Sequence, residues 1–486
     1  MSTPSHLSWT GAADGAMEGT PGSMPHATQL PLVDADLLQR YDRPGPRYTS
    51  YPTAVEFHEG FTGDEYAAHL GRLPAADPLS LYVHLPFCRR RCTFCGCHVV
   101  IAPRRDVAVK YLDSLERELE LLSQHLPGRR QIGQYHWGGG TPTYYTPEEM
   151  ARLQAAVRRH FDLLPEAEVA VEVDPRVTTR EHVDALVELG FNRISMGVQD
   201  FTPAVQEAIG RNQTEAETSA LYEYCRERGF DSINIDLIYG LPGQTEETFQ
   251  ANLEAVVRLR PDRVAVYSYA HVPWVRAHQK RINTDLLPSR DTKFALFARA
   301  IRTFRERGYE QIGMDHFSLP EDELAAALRE RCLRRNFMGY TVQRAPHMVG
   351  LGLSSIGDVA GAYAQNAKKL SAYWEHLEAG RLPVERGYAL SDDDRVRRHV
   401  IAELMCNLYL DTAAAEGLFG IRFASYFARE LAELAAGPEA DGLVRLGDDA
   451  LEVTPLGQLF VRNVCMPFDR HLREKPPERP TFSRTV

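Results

Sequence analysis

Four cysteines fall within one short stretch of this chain, which reads Cys88-Arg-Arg-Arg-Cys92-Thr-Phe-Cys95-Gly-Cys97. Thiolates separated by three residues and then by two can wrap one cubane iron–sulfur cluster, because a short loop then supplies ligands to three of its irons. The fourth iron is left open, which turns an electron store into a site where a substrate can bind metal. A closed structural zinc site usually draws two ligands from each of two separated knuckles. No second Cys or His pair with that spacing exists here. All four clustered cysteines could in principle close one zinc site, with Cys97 as fourth ligand, although the single residue between Cys95 and Cys97 makes that geometry cramped. A [4Fe–4S] cluster on Cys88, Cys92 and Cys95 is the preferred reading. The scattered Cys225, Cys332, Cys406 and Cys465 fit buried thiols acting as small hydrophobes, and a disulfide framework does not suit a long chain of this kind.

The elements that must position such a loop are legible from hydrophobic periodicity. Short apolar runs at Leu81–Leu85, Gln134–Trp137, Val169–Val173, Arg193–Gly197, Ser232–Ile238 and Arg263–Tyr269 read as strands buried on both faces. Amphipathic helices are expected over Val107–Gln124, Pro147–Phe161, Thr179–Leu189, Glu215–Gly229 and Glu246–Arg258. This alternation predicts an α/β fold, a partial (β/α)6 barrel, whose chemistry gathers at the carboxyl ends of the strands. The cysteines follow the first strand, and Gly138–Gly140 the second. Glu172 and Asp174 end the third, Gln199 and Asp200 follow the fourth, Asp236 lies within the fifth, and Ala270 and His271 follow the sixth. After about Gln365 the alternation stops. Helices over Ser391–Leu410 and Phe423–Leu434, a hairpin of Leu443–Arg445 with Leu451–Val453 and a helix over Gln458–Val464 suggest a mainly helical, winged-helix-like C-terminal domain that is not basic and acts as a lid.

At 486 residues the chain exceeds what one core usually supports, so two or three units are expected. The reading divides it into a flexible tail over 1–33, a substrate-covering N-terminal segment over 34–78, the barrel domain over 79–365 and the helical domain over 366–486. A net charge of −11 argues against broad nucleic-acid binding, which needs a basic surface. No apolar run is long enough for a membrane span. The first residues have neither the basic start nor the apolar run of a secretory signal. A cytoplasmic protein is expected.

The cysteine spacing resembles the signature of the radical SAM superfamily. In that superfamily S-adenosylmethionine (SAM) chelates the open iron and is cleaved to a 5′-deoxyadenosyl radical. Gly138-Gly139-Gly140-Thr141-Pro142-Thr143 after a strand would let backbone approach SAM, Glu172 could accept from ribose hydroxyls, and Phe94 could pack on adenine. Further segments narrow the resemblance: Gly45-Pro-Arg-Tyr-Thr-Ser-Tyr-Pro-Thr53, Leu81-Tyr-Val-His-Leu-Pro-Phe-Cys88, His136-Trp-Gly-Gly-Gly-Thr-Pro-Thr143, Ser195-Met-Gly-Val-Gln-Asp200, Asn234-Ile-Asp-Leu-Ile-Tyr-Gly-Leu-Pro242, Gly313-Met-Asp-His-Phe317, Arg335-Asn-Phe-Met-Gly-Tyr-Thr341 and Tyr363-Ala-Gln-Asn366. Together they resemble the oxygen-independent coproporphyrinogen III oxidase (dehydrogenase) family of haem biosynthesis, from about Asp34 to the C-terminus.

The resemblance implies an oxidoreductase that converts the propionates on rings A and B of coproporphyrinogen III to vinyl groups, giving protoporphyrinogen IX, with two SAM molecules bound. It implies cluster ligands Cys88, Cys92 and Cys95. SAM contacts are implied at Tyr82, Phe94, Gly139, Gly140, Thr141, Glu172, Gln199, Arg211, Asp236, Ala270 and Ile356. Cys97 is implied as an activity-linked cysteine that is not a ligand. Four propionates call for cations, since Arg binds carboxylates in a bidentate fork, and Arg47, Arg334 and Arg335 are the substrate candidates. His271 and His316 are read either as orienting or proton-moving groups or as core histidines. Arg89–Arg91 would dock an acidic electron donor such as flavodoxin, or are simply solvated. A monomer is expected. The competing readings are a haem chaperone that kept the fold and a radical SAM enzyme with another substrate.

Overall fold

A computed structural model describes residues 33, 35–102, 104–342, 345–474 and 481–485; apart from Val33, the tail read over 1–33 lies outside them. Six parallel strands in chain order form the centre of the sheet: β1 (Leu79–Leu85), β2 (Arg130–Gly139), β3 (Phe161–Val173), β4 (Arg193–Gln199), β5 (Ser232–Tyr239) and β6 (Arg263–Ser268). Each is laddered in parallel to its predecessor. A parallel neighbour can be reached only by a crossover, and the crossovers here are helical, at Asp106–His125, Pro147–His160, Arg180–Glu188, Glu215–Glu227 and Glu246–Leu259. Thr146, Thr179, Thr214 and Thr245 each cap a helix and accept a hydrogen bond from the third backbone amide. Such caps stop the strand-side loop and start the helix at a defined residue.

β2 and β3 begin well before the apolar runs that announced them. Arg130–Ile132 pairs with Phe161–Leu163, so the ladder carries polar residues that period alone does not mark as strand. The sheet also grows at both edges. β7 (Glu310–Ile312) and β8 (His316–Ser318) add to β6, β8 running antiparallel to it. After a hairpin of β9 (Arg334–Asn336) and β10 (Gly339–Thr341), β11 (His347–Leu351) pairs in parallel with β1. β12 (Ile356–Val359), β13 (Ala362–Asn366) and β14 (Val384–Ala389) follow antiparallel, giving twelve strands in all. The change of pattern read near Gln365 therefore falls inside this sheet. Beyond it lie helices at Asp392–Asn407, Thr412–Phe419 and Ala428–Leu434 and a small sheet of β15 (Tyr409–Asp411), β16 (Val444–Leu446) and β17 (Ala450–Val453).

One core fills the space between the parallel strands and their helices, around Leu81, Trp137, Val171, Ile235 and Val266. A second joins the N-terminal segment to the C-terminal domain: Leu38, Tyr41, Tyr48 and Tyr51 pack with Met314, Tyr340, Leu404, Phe460 and Phe468. The chain ends are tied as well, since the Gly45 amide donates to the Ser483 carbonyl (3.1 Å) and the Thr485 amide to Arg43 (2.9 Å). The crossover helix Asp106–His125 is fastened to the added strands by buried Glu118. Its carboxyl accepts from the Gly352 amide (2.8 Å), Asn366 Nδ2 (2.6 Å) and the Tyr373 hydroxyl (2.5 Å).

Burial pushes the Glu118 carboxyl up to about 7 from an ordinary 4.5. The unfolded chain gives up this proton at lower pH than the folded one. Stability therefore falls as pH rises between those two values, by roughly 3 kcal/mol, and levels off above. Glu118→Gln should flatten that part of the melting-temperature profile while lowering stability by about 1–3 kcal/mol, because its amide faces donors. An unchanged pH profile of the variant would contradict the assignment.

Candidate active site at the mouth of the barrel

A cavity partly open to solvent lies at the carboxyl ends of β1–β5, where a fold of this kind places its chemistry. Cys88, Cys92, Cys95 and Cys97 all line it, as do Phe94, Gly139, Gly140, Thr141, Glu172, Gln199, Arg211 and Asp236. Among the described residues no three His, Cys, Asp or Glu side chains converge as the ligands of a single ion would; the thiols instead share the wall of a wider space.

Behind the cysteines stands a buried ion cluster. Arg176 grips Asp174 through Nη2 and Nε (2.6 and 3.0 Å), and Arg211 Nη1 reaches the same carboxylate at 3.1 Å. Both guanidiniums then approach the Cys92 sulfur, at 3.6 and 3.9 Å. A hydrogen bond from Cys97 brings the Cys95 thiol down to about 6. Burial pushes Cys88 up to about 11, although the Thr141 hydroxyl at 3.4 Å opposes the change. The loop after β6 clasps the cysteine loop from outside, since the Cys95 carbonyl lies 2.8 Å from His278 Nε2 and the Phe94 carbonyl accepts from Gln279 Nε2 at 2.9 Å.

The opposite wall is anionic. Burial works against the charge on Glu172, but His136 Nε2 (3.2 Å) and the Gly139 amide (3.1 Å) hold its carboxyl below the usual range. Burial and the charge of Glu172 push Asp236 up to about 6, with Asn234 Nδ2 (2.8 Å) pulling the other way. Gln199 ends β4 at a register shift with φ 70°, a left-handed conformation that is costly for a residue with a side chain. The bulge re-aims Gln199 into the cavity.

The other residues singled out from sequence take different places. Tyr82 stacks on His136 at 5.9 Å and bonds His84 Nδ1 (3.0 Å) beneath the cavity. The Ala270 carbonyl accepts from the same Gln279 amide that holds Phe94, and Ile356 packs with Phe57 and Tyr363. Arg47 forms an ion pair with Asp315, and Arg335 Nη1 donates to the Arg47 carbonyl. Arg334 is turned away: its Nη1 lies 2.8 Å from Glu403 on the helix Asp392–Asn407, so its charge is already neutralised. His271 bonds the Tyr269 hydroxyl and His316 bonds Asp315. Arg176, His136, Ser195, His278 and Gln279 were not found by spacing. Only Arg176 carried a signal, as a cation two residues beyond a strand-end carboxylate.

Comparison with known proteins bears directly on this cavity. The radical SAM superfamily pattern matches residues 82–256, and the HemN C-terminal domain pattern matches 390–460. The oxygen-independent coproporphyrinogen III oxidase of Escherichia coli is 45% identical, covering 93% of this chain and 98% of its own length. That of Pseudomonas aeruginosa is 44% identical, with the same two coverages. The chain belongs to the oxygen-independent coproporphyrinogen III oxidase family. A solved coproporphyrinogen III oxidase from E. coli, described as a radical SAM enzyme, superposes with a TM-score of 0.85 at 44% identity, covering 88% of this chain and 98% of that one.

A member of this radical SAM family uses a [4Fe–4S] cluster and SAM, and the cavity suits both. Soft sulfur donors on a short loop fit iron, with guanidiniums behind them to balance an anionic cluster. The carboxylates of Glu172 and Asp236 complement the positive charge of a sulfonium. Gly140 is needed for steric reasons, because a Cβ there would lie 2.5 Å from the Pro86 carbonyl carbon and 2.8 Å from the Phe87 oxygen. Gly96, between Cys95 and Cys97, has open space around it. Gly140→Ala should therefore cost about 1–3 kcal/mol and lower the iron content of reconstituted protein, whereas Gly96→Ala should change neither. Equal iron retention in both variants would show that the β1–β2 approach is not the constraint.

Proposed function

We propose that the chain removes CO2 from the propionates on rings A and B of coproporphyrinogen III, leaving vinyl groups and giving protoporphyrinogen IX, with Cys88, Cys92 and Cys95 holding the cluster. The observation that carries this reading is the arrangement of one cavity, with three thiols backed by Arg176 and Arg211 on one side and Glu172 and Asp236 on the other. When bound, the cluster and SAM would supply a 5′-deoxyadenosyl radical able to remove a hydrogen atom from a propionate β-carbon, so that the carbon–carboxylate bond could break with loss of CO2 and of one electron to an external acceptor.

The protein's own residues orient and enclose. Glu172 and Gln199 offer polar groups to SAM, Phe94 an apolar face, and Asp236 a carboxyl close to neutrality. Tyr82, Gly139, Gly140, Thr141, Arg211, Ala270 and Ile356 complete the SAM contacts in this reading, which has room for a second SAM. Cys97, the most open of the four thiols, serves turnover without being a ligand. Arg89, Arg90 and Arg91 are exposed on the cluster loop, on a chain of net charge −11, and suit an acidic one-electron donor such as flavodoxin. Among the described residues no helix is long and apolar enough to cross a membrane, and we place the protein in the cytoplasm as a monomer.

Anaerobic incubation of reconstituted protein with SAM, dithionite and coproporphyrinogen III should release CO2 and form vinyl product. Cys92→Ser should lose the cluster's visible absorbance and SAM cleavage, whereas Cys97→Ser should keep the absorbance and lose most turnover. A full cluster in Cys92→Ser would sink the ligand assignment, and cluster loss in Cys97→Ser would favour a four-cysteine site.

A further inference from the structure

Lys293 is a half-buried cation that, among the described residues, pairs with no carboxylate. It sits in the first turn of the helix Arg290–Glu306, with its stem across Gly240, at the end of β5. Its Nζ donates to the Tyr269 carbonyl just beyond β6 (3.3 Å) and lies 5.9 Å from the centroid of the Tyr239 ring. Among the described residues, the charges that act on it most strongly are the Asp42 carboxylate and then three of its own sign, Arg462, Arg47 and Arg484. Asp42 is already paired with Arg484 Nε at 2.7 Å.

The neighbouring cations do not relieve this excess. Arg462 is buried and donates to the carbonyls of Gly45, Pro46, Ser483 and Arg484. Among the described residues no carboxylate pairs with it. Arg47, one-third exposed, shares Asp315 with His316. Asp315 is taken by Arg47 and Asp42 by Arg484, so among the described residues Lys293 and Arg462 are held by carbonyls and rings rather than by a carboxylate. Burying unpaired cations is unfavourable, and burial brings Lys293 down to about 8 and Arg462 to about 9. Such a group is stabilised when an anion arrives with a ligand. None of the three lines the cavity that holds the thiols, so that anion lies outside the cofactor space.

We propose that Lys293, with Arg47 beside it, grips one propionate carboxylate of the porphyrinogen at the rim of β5 and β6. This rests on the function proposed above and adds a substrate contact that the cysteine-centred cavity lacks. Arg462 holds the floor of the grip by bonding both chain ends, and Lys293 makes the contact.

Steady-state kinetics on the reconstituted holoenzyme tests it. Lys293→Met should raise KM for coproporphyrinogen III about tenfold or more, the usual loss for a charged hydrogen bond. The KM for SAM, the iron content and the melting temperature should stay unchanged, and Lys293→Arg should restore most of the affinity. Wild-type protein should also bind coproporphyrin III more tightly than its tetramethyl ester, with the difference reduced in Lys293→Met. An unchanged porphyrinogen KM in an active variant overturns the proposal, as does a change in the KM for SAM alone. Equal binding of acid and ester by the wild type overturns it too. A wild-type holoenzyme that forms no vinyl product refutes the parent function instead, and is told apart by that result.

Discussion

A parallel ladder cannot turn back on itself, and that constraint shapes the whole molecule. Each of β1–β5 must be followed by a crossover that returns the chain to the starting edge, so the loops that leave the strands all emerge at one end. The cysteine loop, Gly139–Gly140, Glu172, Gln199 and Asp236 are far apart in sequence, yet they meet because each ends or leaves a strand of this ladder. Chemistry and fold share one cause.

Electrostatics then sorts the cavity into two sides. Asp174 anchors Arg176 and Arg211 behind Cys92, so a cationic wall faces the thiols without leaving a guanidinium unpaired. Glu172 and Asp236 stand opposite and differ in proton affinity, because one has His136 and a backbone amide to stabilise its charge and the other has mainly burial and a like charge. Environments driven apart in this way leave Asp236 the readier of the two to take up a proton. The loop bearing His278 and Gln279 holds the cysteine loop in place through backbone carbonyls, and such contacts constrain a loop whatever its side chains are.

Much of this was legible beforehand. The six parallel strands, the helices between them and the cysteines after β1 follow from apolar period and spacing, both local signals. The edge strands β7, β8 and β11–β14 were not announced, because segments as short as His316–Ser318 and Ile356–Val359 carry too few residues to show a period. Arg334 shows the same limit for charge. Beside Arg335 in a family-like segment it had the look of a substrate residue, but the partner that neutralises it, Glu403, lies on a helix of another domain.

By itself the sequence determined the cluster loop, the order of strands and helices and the family. Thiol spacing and hydrophobic period are set within a few residues, and matching segments extend along most of the chain. Tertiary structure alone decided which charges are spent and which remain free. It paired Arg334 with Glu403, bonded Arg462 to the carbonyls of Gly45, Pro46 and Arg484 and, among the described residues, left Lys293 without a paired carboxylate. An ion pair forms across space between residues with no fixed separation in sequence, so its presence or absence is read only once the chain is folded.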